Sequence, residues 1–190
     1  MEESISHEPS RLNALQAMLL DPQIGEEGTL DLRPTYLHFI RKMVGCAAYS
    51  YLPIIQEDGT NDVVSGGRYS CAYFVLSVLQ HFGLVELWNT WMREVEPLLR
   101  AASWQEISQE EMLPGDIILY DTHDGNEHVA FYDGDDQAIS TALSTVQLRW
   151  PKKRRDSARR VPRRHDVLYR NRVDGPRTIK SIWTHPALHG

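Results

Sequence analysis

The 190-residue chain carries 20 Lys and Arg against 26 Asp and Glu, a formal net charge of −6, with 42% hydrophobic residues. That balance suits one globular domain, or a domain with an appendage, and excludes fibrous and low-complexity chains. No apolar run reaches the about 20 residues of a membrane-spanning helix, and the opening MEESISHEPS is acidic and without the apolar stretch of a secretory leader. The expected location is therefore cytoplasmic, with non-classical export or phage-type release as alternatives.

The two cysteines, Cys46 and Cys71, show no CxxC spacing and lie in segments that read as helical, so free thiols are expected rather than a disulfide framework or a zinc knuckle. The net charge conceals an asymmetry: residues 1–148 hold 7 basic and 23 acidic side chains, and residues 149–190 hold 13 and 3. The last segment is a separate electrostatic object.

In chain order, Ser10 can cap a short amphipathic helix with Leu12, Leu15, Leu19 and Leu20 near one face, ended by Asp21-Pro22. Residues 1–33 thus read as a helical arm. A second helix is predicted from Pro34 to about Ala48, because Leu37, Ile40, Val44 and Ala48 recur at spacings of three and four. Pro53 to Gly67, rich in Gly, Asp and Asn, reads as a loop. The third helix is the clearest: Cys71, Phe74, Val75, Val78, Leu79 and Phe82 share a face, and Gly83 stops it. Trp88, Trp91, Met92, Val95, Leu98 and Leu99 continue a helical period to about Ala102, as core or as the wall of a groove.

The period then changes. LPGDIILYD holds a short apolar run after a Pro-Gly turn, HVAFYDGDDQAIST reads as two strands about Asp133-Gly134-Asp135-Asp136, and Val146 to Trp150 as a further strand. Helices followed by a strand meander give an α+β class, with helices packed on an antiparallel sheet. Residues 34–150 form the core in this reading. The basic segment 151–190 contributes the apolar pieces Val167 to Tyr169 and Ile179 to Trp183, which could complete the sheet.

The chemistry concentrates on Cys71. With Ser70 as helix cap, the thiol stands in a first turn, where unpaired N–H groups and the helix dipole favour a thiolate. A nucleophilic thiol also needs a base within hydrogen-bond reach. Of eight histidines, His128 begins a strand directly after a polar loop, from which an imidazole can project toward a packed helix. Cys46, inside the second helical pattern and uncapped, reads as a packing residue.

The pieces YSCAYFV, LPGDIILYD and HVAFYDGDDQAIS, in this order between about Val44 and Thr141, resemble the NlpC/P60 branch of the papain-like cysteine peptidases. The resemblance implies Cys71 as nucleophile, His128 as general base and, twelve positions on, Ser140 in the place of the orienting residue. Family members commonly have His, Asn or Gln there, so either the orienter is a weak hydroxyl or another group, such as His165 or an acidic loop residue, supplies it. The family's tyrosine near the cysteine falls on Tyr49 or, preferably, Tyr51, and Ser70 stands where aspartate is common; Tyr51 and Ser70 are the expected substrate-binding residues. The implied reaction is hydrolysis of an amide, foremost a peptidoglycan stem-peptide bond, through a thioester and with no cofactor. Rival readings are another cysteine acyl enzyme, such as a lipid acyltransferase or protein deamidase, and an inactive papain-like binding module.

DTHDGNEH gathers Asp121, His123, Asp124, Glu127 and His128, but without the HExxH spacing of a metal site, and a solvated loop beside the histidine is simpler. The run Lys152 to Arg164 has no accompanying nucleic-acid recognition motif. It reads first as a solvated face or mobile loop, with an anionic polymer or the acidic remainder of the domain as the alternative partners it could attract.

Overall fold

The structure is a computed structural model, describing residues 31–57, 59–67, 69–87, 89–121, 127–142, 161–168 and 177–189. The expected arm helix at Ser10 to Leu20, the strand at Val146 to Trp150, Trp88, and the loop residues 122–126 lie outside the described residues.

Helix α1 spans Leu32–Lys42. Pro34 falls in its first turn, where a missing N–H is harmless, and Tyr36 and Ile40, one turn apart, are its buried residues. It ends six residues before the predicted Ala48: Met43 N–H is shared between the Phe39 and Ile40 carbonyls, and Gly45 follows at φ 85°. Gly45 N–H instead donates to Pro162 O at 2.8 Å. Val44, predicted on the buried stripe, is therefore exposed, and Cys46 lies beyond the helix, ahead of a 3-10 turn at Ala47–Ser50.

The expected loop from Pro53 holds a hairpin, β1 Pro53–Gln56 paired antiparallel with β2 Gly59–Asp62. Asp62 ends it by accepting N–H bonds from Leu52, Val64 and Gly66. Burial pushes this carboxyl up, but the three N–H groups outweigh it and hold the pKa below the ordinary value.

Helix α2 runs Ser70–His81 and is buried along most of its girth. Gly83, at φ 68°, turns the chain so that Leu84 N–H reaches Leu79 O, a glycine C-cap. The period predicted through Ala102 is realised only as a 3-10 turn, Met92–Glu94, and a short helix α3, Val95–Ala101. Trp91, predicted as core or groove wall, is 62% exposed, with the Arg93 guanidinium over its ring.

Six strands form one antiparallel sheet: β3 Gln105–Ile107, β4 Ile117–Asp121, β5 Glu127–Gly134, β6 Gln137–Ala142, β7 Val161–Asp166 and β8 Thr178–Thr184, in the order β3-β8-β4-β5-β6-β7. The run IILY has no polar alternation because the two faces feed different clusters. Ile117, Leu119, Val129, Phe131 and Ile139 join α1, α2 and α3 in the main core, while Ile118, Tyr120, Ala130, Ala138 and Ile182 build a second cluster. The β5–β6 turn places Asp135 and Asp136 at φ 49° and 55°, as a two-residue hairpin turn requires. Strand β7 consists of VPRRHD, one step before the apolar piece Val167 to Tyr169, and β8 lies between β3 and β4. The class is α+β, with helices against an antiparallel sheet. No described helix is long and apolar enough to cross a membrane.

Candidate active site

Cys71 is the second residue of α2. Ser70 is not the cap: the flanking residue is Tyr69, and the Ser70 hydroxyl donates back to Gly67 O at 2.8 Å, fully buried. The side chain expected to touch substrate is thus occupied in closing the turn that precedes the helix. Backbone N–H groups do the work expected of the hydroxyl. Those of Ala72, of Cys71 itself and, from the sheet, of Val129 all approach the sulfur. Val129 follows His128, so the helix N-terminus abuts the beginning of β5.

The thiol is 8% exposed and donates to Met92 Sδ at 3.5 Å. Its pKa is raised: burial dominates, and the N–H groups of Ala72 and Val129, the Arg177 guanidinium and the Cys71 N–H oppose it without prevailing. Burial thus works against the thiolate that the helix N-terminus was expected to favour. A thiol in this state needs a base to become a nucleophile.

His128, 6% exposed, stands opposite Tyr120 across the β4–β5 ladder. Its Nε2 is 2.9 Å from Ser140 Oγ, and that oxygen is 2.8 Å from Nε2 of His165, whose Nδ1 donates to Asp166 O at 2.9 Å. Ser140 and His165, two of the groups expected to orient His128, thus occur in series. The β6–β7 register explains it: Ala138 opposes His165 and Ser140 opposes Arg163, leaving Ser140 and His165 diagonal neighbours on one face.

Tyr51 is 57% exposed, between the 3-10 turn and β1. Tyr49, the less favoured choice, packs edge-on against Tyr73 and Phe74 of α2. Of the acidic loop, Glu127 ion-pairs with Lys180 at 2.6 Å, and no group of three metal-ligating side chains occurs among the described residues. A cleft of about 490 Å³ opens beside Met92, lined also by Arg93, Glu96, Arg100, Glu127 and Lys180. Met92, Arg177 and the Val129 N–H escaped the sequence reading, because each reaches Cys71 across a long chain separation and carries no local motif.

A thiol in the first turn of a helix, set against the strand that bears a hydrogen-bonded imidazole, defines a papain-like α+β protein of the cysteine peptidase and amidase class. The family model of the NlpC/P60 family matches residues 60–162, more than half of the 190-residue chain. The chain belongs to the NlpC/P60 family. No curated protein matches it.

Proposed function

We propose that the protein is a cysteine-dependent amide hydrolase that cleaves peptidoglycan stem peptides, with Cys71 as nucleophile and His128 as base. The observation that carries this reading is the convergence on one sulfur of a helix N-terminus and the N–H of Val129, the residue that follows His128 in β5, with the His128 imidazole held by Ser140. Nε2 of His128 is committed to the serine, so Nδ1 takes the thiol proton. The thiolate then attacks the amide carbonyl carbon, and the developing oxyanion finds backbone N–H groups at the start of α2, that of Cys71 first among them. Collapse breaks the C–N bond, the imidazolium gives its proton to the leaving amine, and a thioester remains. Water, deprotonated by His128, attacks the thioester; the acid departs and the thiol is restored.

The charged walls of the neighbouring cleft, Arg93, Lys180, Glu96 and Glu127, suit a short peptide bearing both amine and carboxylate groups. The excess of positive charge after residue 148 offers an anionic polymer a second contact, which salt would weaken.

The test is incubation of the full chain and its Cys71→Ala variant with muropeptides of defined stem, read by mass spectrometry. Cleavage by the wild type alone supports the proposal. Absence of cleavage, with turnover of an ester or of a protein glutamine, transfers the same residues to a lipid acyltransferase or a deamidase. The covered thiol favours a second reading, an inactive binding module. On that reading Cys71 alkylates no faster than Cys46 and the wild type cleaves nothing.

A further inference from the structure

We propose that Met92 is the gate between the cleft and Cys71, a specificity-determining residue whose thioether must turn aside before an acyl group reaches the sulfur. This rests on the assignment of Cys71 as nucleophile.

The cleft of about 490 Å³ comes up to the site without opening onto the thiol. Two of its lining residues belong to the β4–β5 ladder: Leu119 opposes Val129, whose N–H approaches the sulfur, and Tyr120 opposes His128. Met92 lines the same cleft, yet among the described residues neither Cys71 nor His128 does. Met92 is therefore shared between the two. It forms part of the cleft wall, and its Sδ accepts the Cys71 thiol proton at 3.5 Å.

A thioester forms only when a carbonyl carbon stands about 3–3.5 Å from the nucleophile. The thioether sulfur already stands at the outer limit of that distance. The backbone groups at this 8%-exposed thiol, the N–H groups of Ala72, Cys71 and Val129, are fixed by α2 and β5. An incoming acyl group cannot push them aside. Methionine can yield, because its side chain is unbranched and turns about three bonds.

The local chain also lets it yield. Met92 begins the 3-10 turn Met92–Glu94, in which no residue is fully buried. Local bonds keep the shape of this turn: Asn89 Oδ1 accepts from Thr90 and Trp91 N–H at 2.7 and 3.0 Å, and Glu94 N–H donates to Trp91 O at 3.1 Å. Trp91 and Arg93, on either side of Met92, are exposed and stack on each other. The firm anchor lies further along, where Val95 and Leu99 of α3 enter the main core and the Arg100 guanidinium lies 4.4 Å over the Trp183 ring. Met92 can thus swing while α3 stays in place.

Residue 92 then sets how large a group reaches Sγ. The cost of turning the thioether falls most on a group too bulky to pass beside it. A peptide held by the charged walls of the cleft offsets that cost through contacts that a small ligand lacks.

The experiment labels the full chain with iodoacetamide and with its bulkier N-phenyl derivative at one pH, and Cys46 is the reference thiol in the same digest. Both reagents draw on the same thiolate fraction, so the ratio of their rates cancels any change in the Cys71 pKa. In Met92→Ala the N-phenyl reagent should gain on iodoacetamide by about two- to tenfold, the weight of one side chain forced from its rotamer. In Met92→Ile, of similar bulk but stiff at χ1, it should fall behind by a comparable factor. Ratios unchanged in both variants overturn the proposal and assign access to the surrounding core. Equal gains by both reagents in Met92→Ala overturn it as well, since Met92 would then act on the pKa alone. A Met92→Ile ratio equal to that of the wild type replaces the gate by a fixed wall. If Met92→Ala does not fold, Met92→Ile still decides. Neither reagent is a substrate, so a protein that cleaves no muropeptide but shows these ratios loses the substrate assignment and keeps the gate.

Discussion

The two ends of strand β5 both bury polar side chains, to different ends. At its start, His128, Ser140 and His165 are linked side chain to side chain, and His165 Nδ1 donates on to Asp166 O. Near its finish the partner is the Pro-Gly-Asp turn. Asp116, wholly buried, accepts Leu113 N–H at 2.7 Å and His189 Nε2–H at 3.1 Å, and its backbone accepts from Tyr132. Gly115, at φ 104°, lies so close to Tyr36 that a Cβ would meet the ring at 3.0 Å. The groups of the turn close backbone, join α1 to the sheet through Tyr36 or hold His189. Removing a bond there strands a buried N–H, whereas the bonds from His128 to Ser140 and on to His165 run between side chains. The difference predicts that one end carries stability and the other activity.

The largest expected effect is at the start of the strand. His128→Ala should lower hydrolysis of a cleavable muropeptide by about a hundred- to ten-thousandfold, the range of a lost general base, while calorimetry finds the melting temperature nearly unchanged. A large fall in stability, with activity per folded molecule retained, would break the comparison. At the far end the outcome inverts. Asp116→Ala should destabilise by about 2–3 kcal/mol, because a buried charge-assisted hydrogen bond and the orphaned Leu113 N–H are both lost, with turnover per folded molecule preserved. Urea unfolding of the two variants side by side checks both.

The same contrast explains what could be read from the sequence. Helix α2 was legible because its apolar residues recur on one face and Gly83 ends it; strands β4 to β6 because β-type runs are punctuated by Pro-Gly and by Asp133 to Asp136. Cys71, His128 and Ser140 follow from the order of motifs that these elements carry. The β1–β2 hairpin was not legible, since Ile54 and Ile55 are adjacent rather than alternating, and the carboxylate that organises it is hydrogen-bonded to three backbone groups. Ser70 misled because a serine hydroxyl before a helix serves the preceding turn as readily as the helix N–H groups. The series arrangement of Ser140 and His165 depends on register between β6 and β7, and VPRRHD has no hydrophobic alternation to announce a strand. Met92 over Cys71 is a tertiary contact across 21 positions, beyond any local pattern.

Met92 offers a sharper test of the active end alone. Its sulfur accepts the thiol proton, and burial, the largest influence on the Cys71 pKa, raises it. Met92→Ala should weaken both, so that thiolate forms at lower pH and iodoacetamide labels Cys71 several-fold faster, about one pKa unit being tenfold. Cys46, outside this environment and only half-buried, serves as the internal reference in the same peptide digest. An unchanged Cys71 rate would mean that Met92 merely touches the thiol and that the surrounding core controls access.

The smallest effect is expected in the hairpin before α2, where polar bonds again close a backbone turn, but near solvent. The Asp62 pKa is depressed in the folded protein from an ordinary 3.8. A depressed carboxyl contributes stability that is present above the ordinary value and is lost as pH falls through the folded value. Its partial exposure keeps that contribution below about 1 kcal/mol, so global unfolding should barely register it. Hydrogen exchange should: the amides of Leu52, Val64 and Gly66 ought to lose protection together on acidification below about pH 4. In Asp62→Asn the loss should already be present at neutral pH, because an amide has one carbonyl oxygen where the carboxylate uses two. Protection that persisted in that variant would assign the turn to the backbone bonds of β1 and β2 and deprive Asp62 of its structural role.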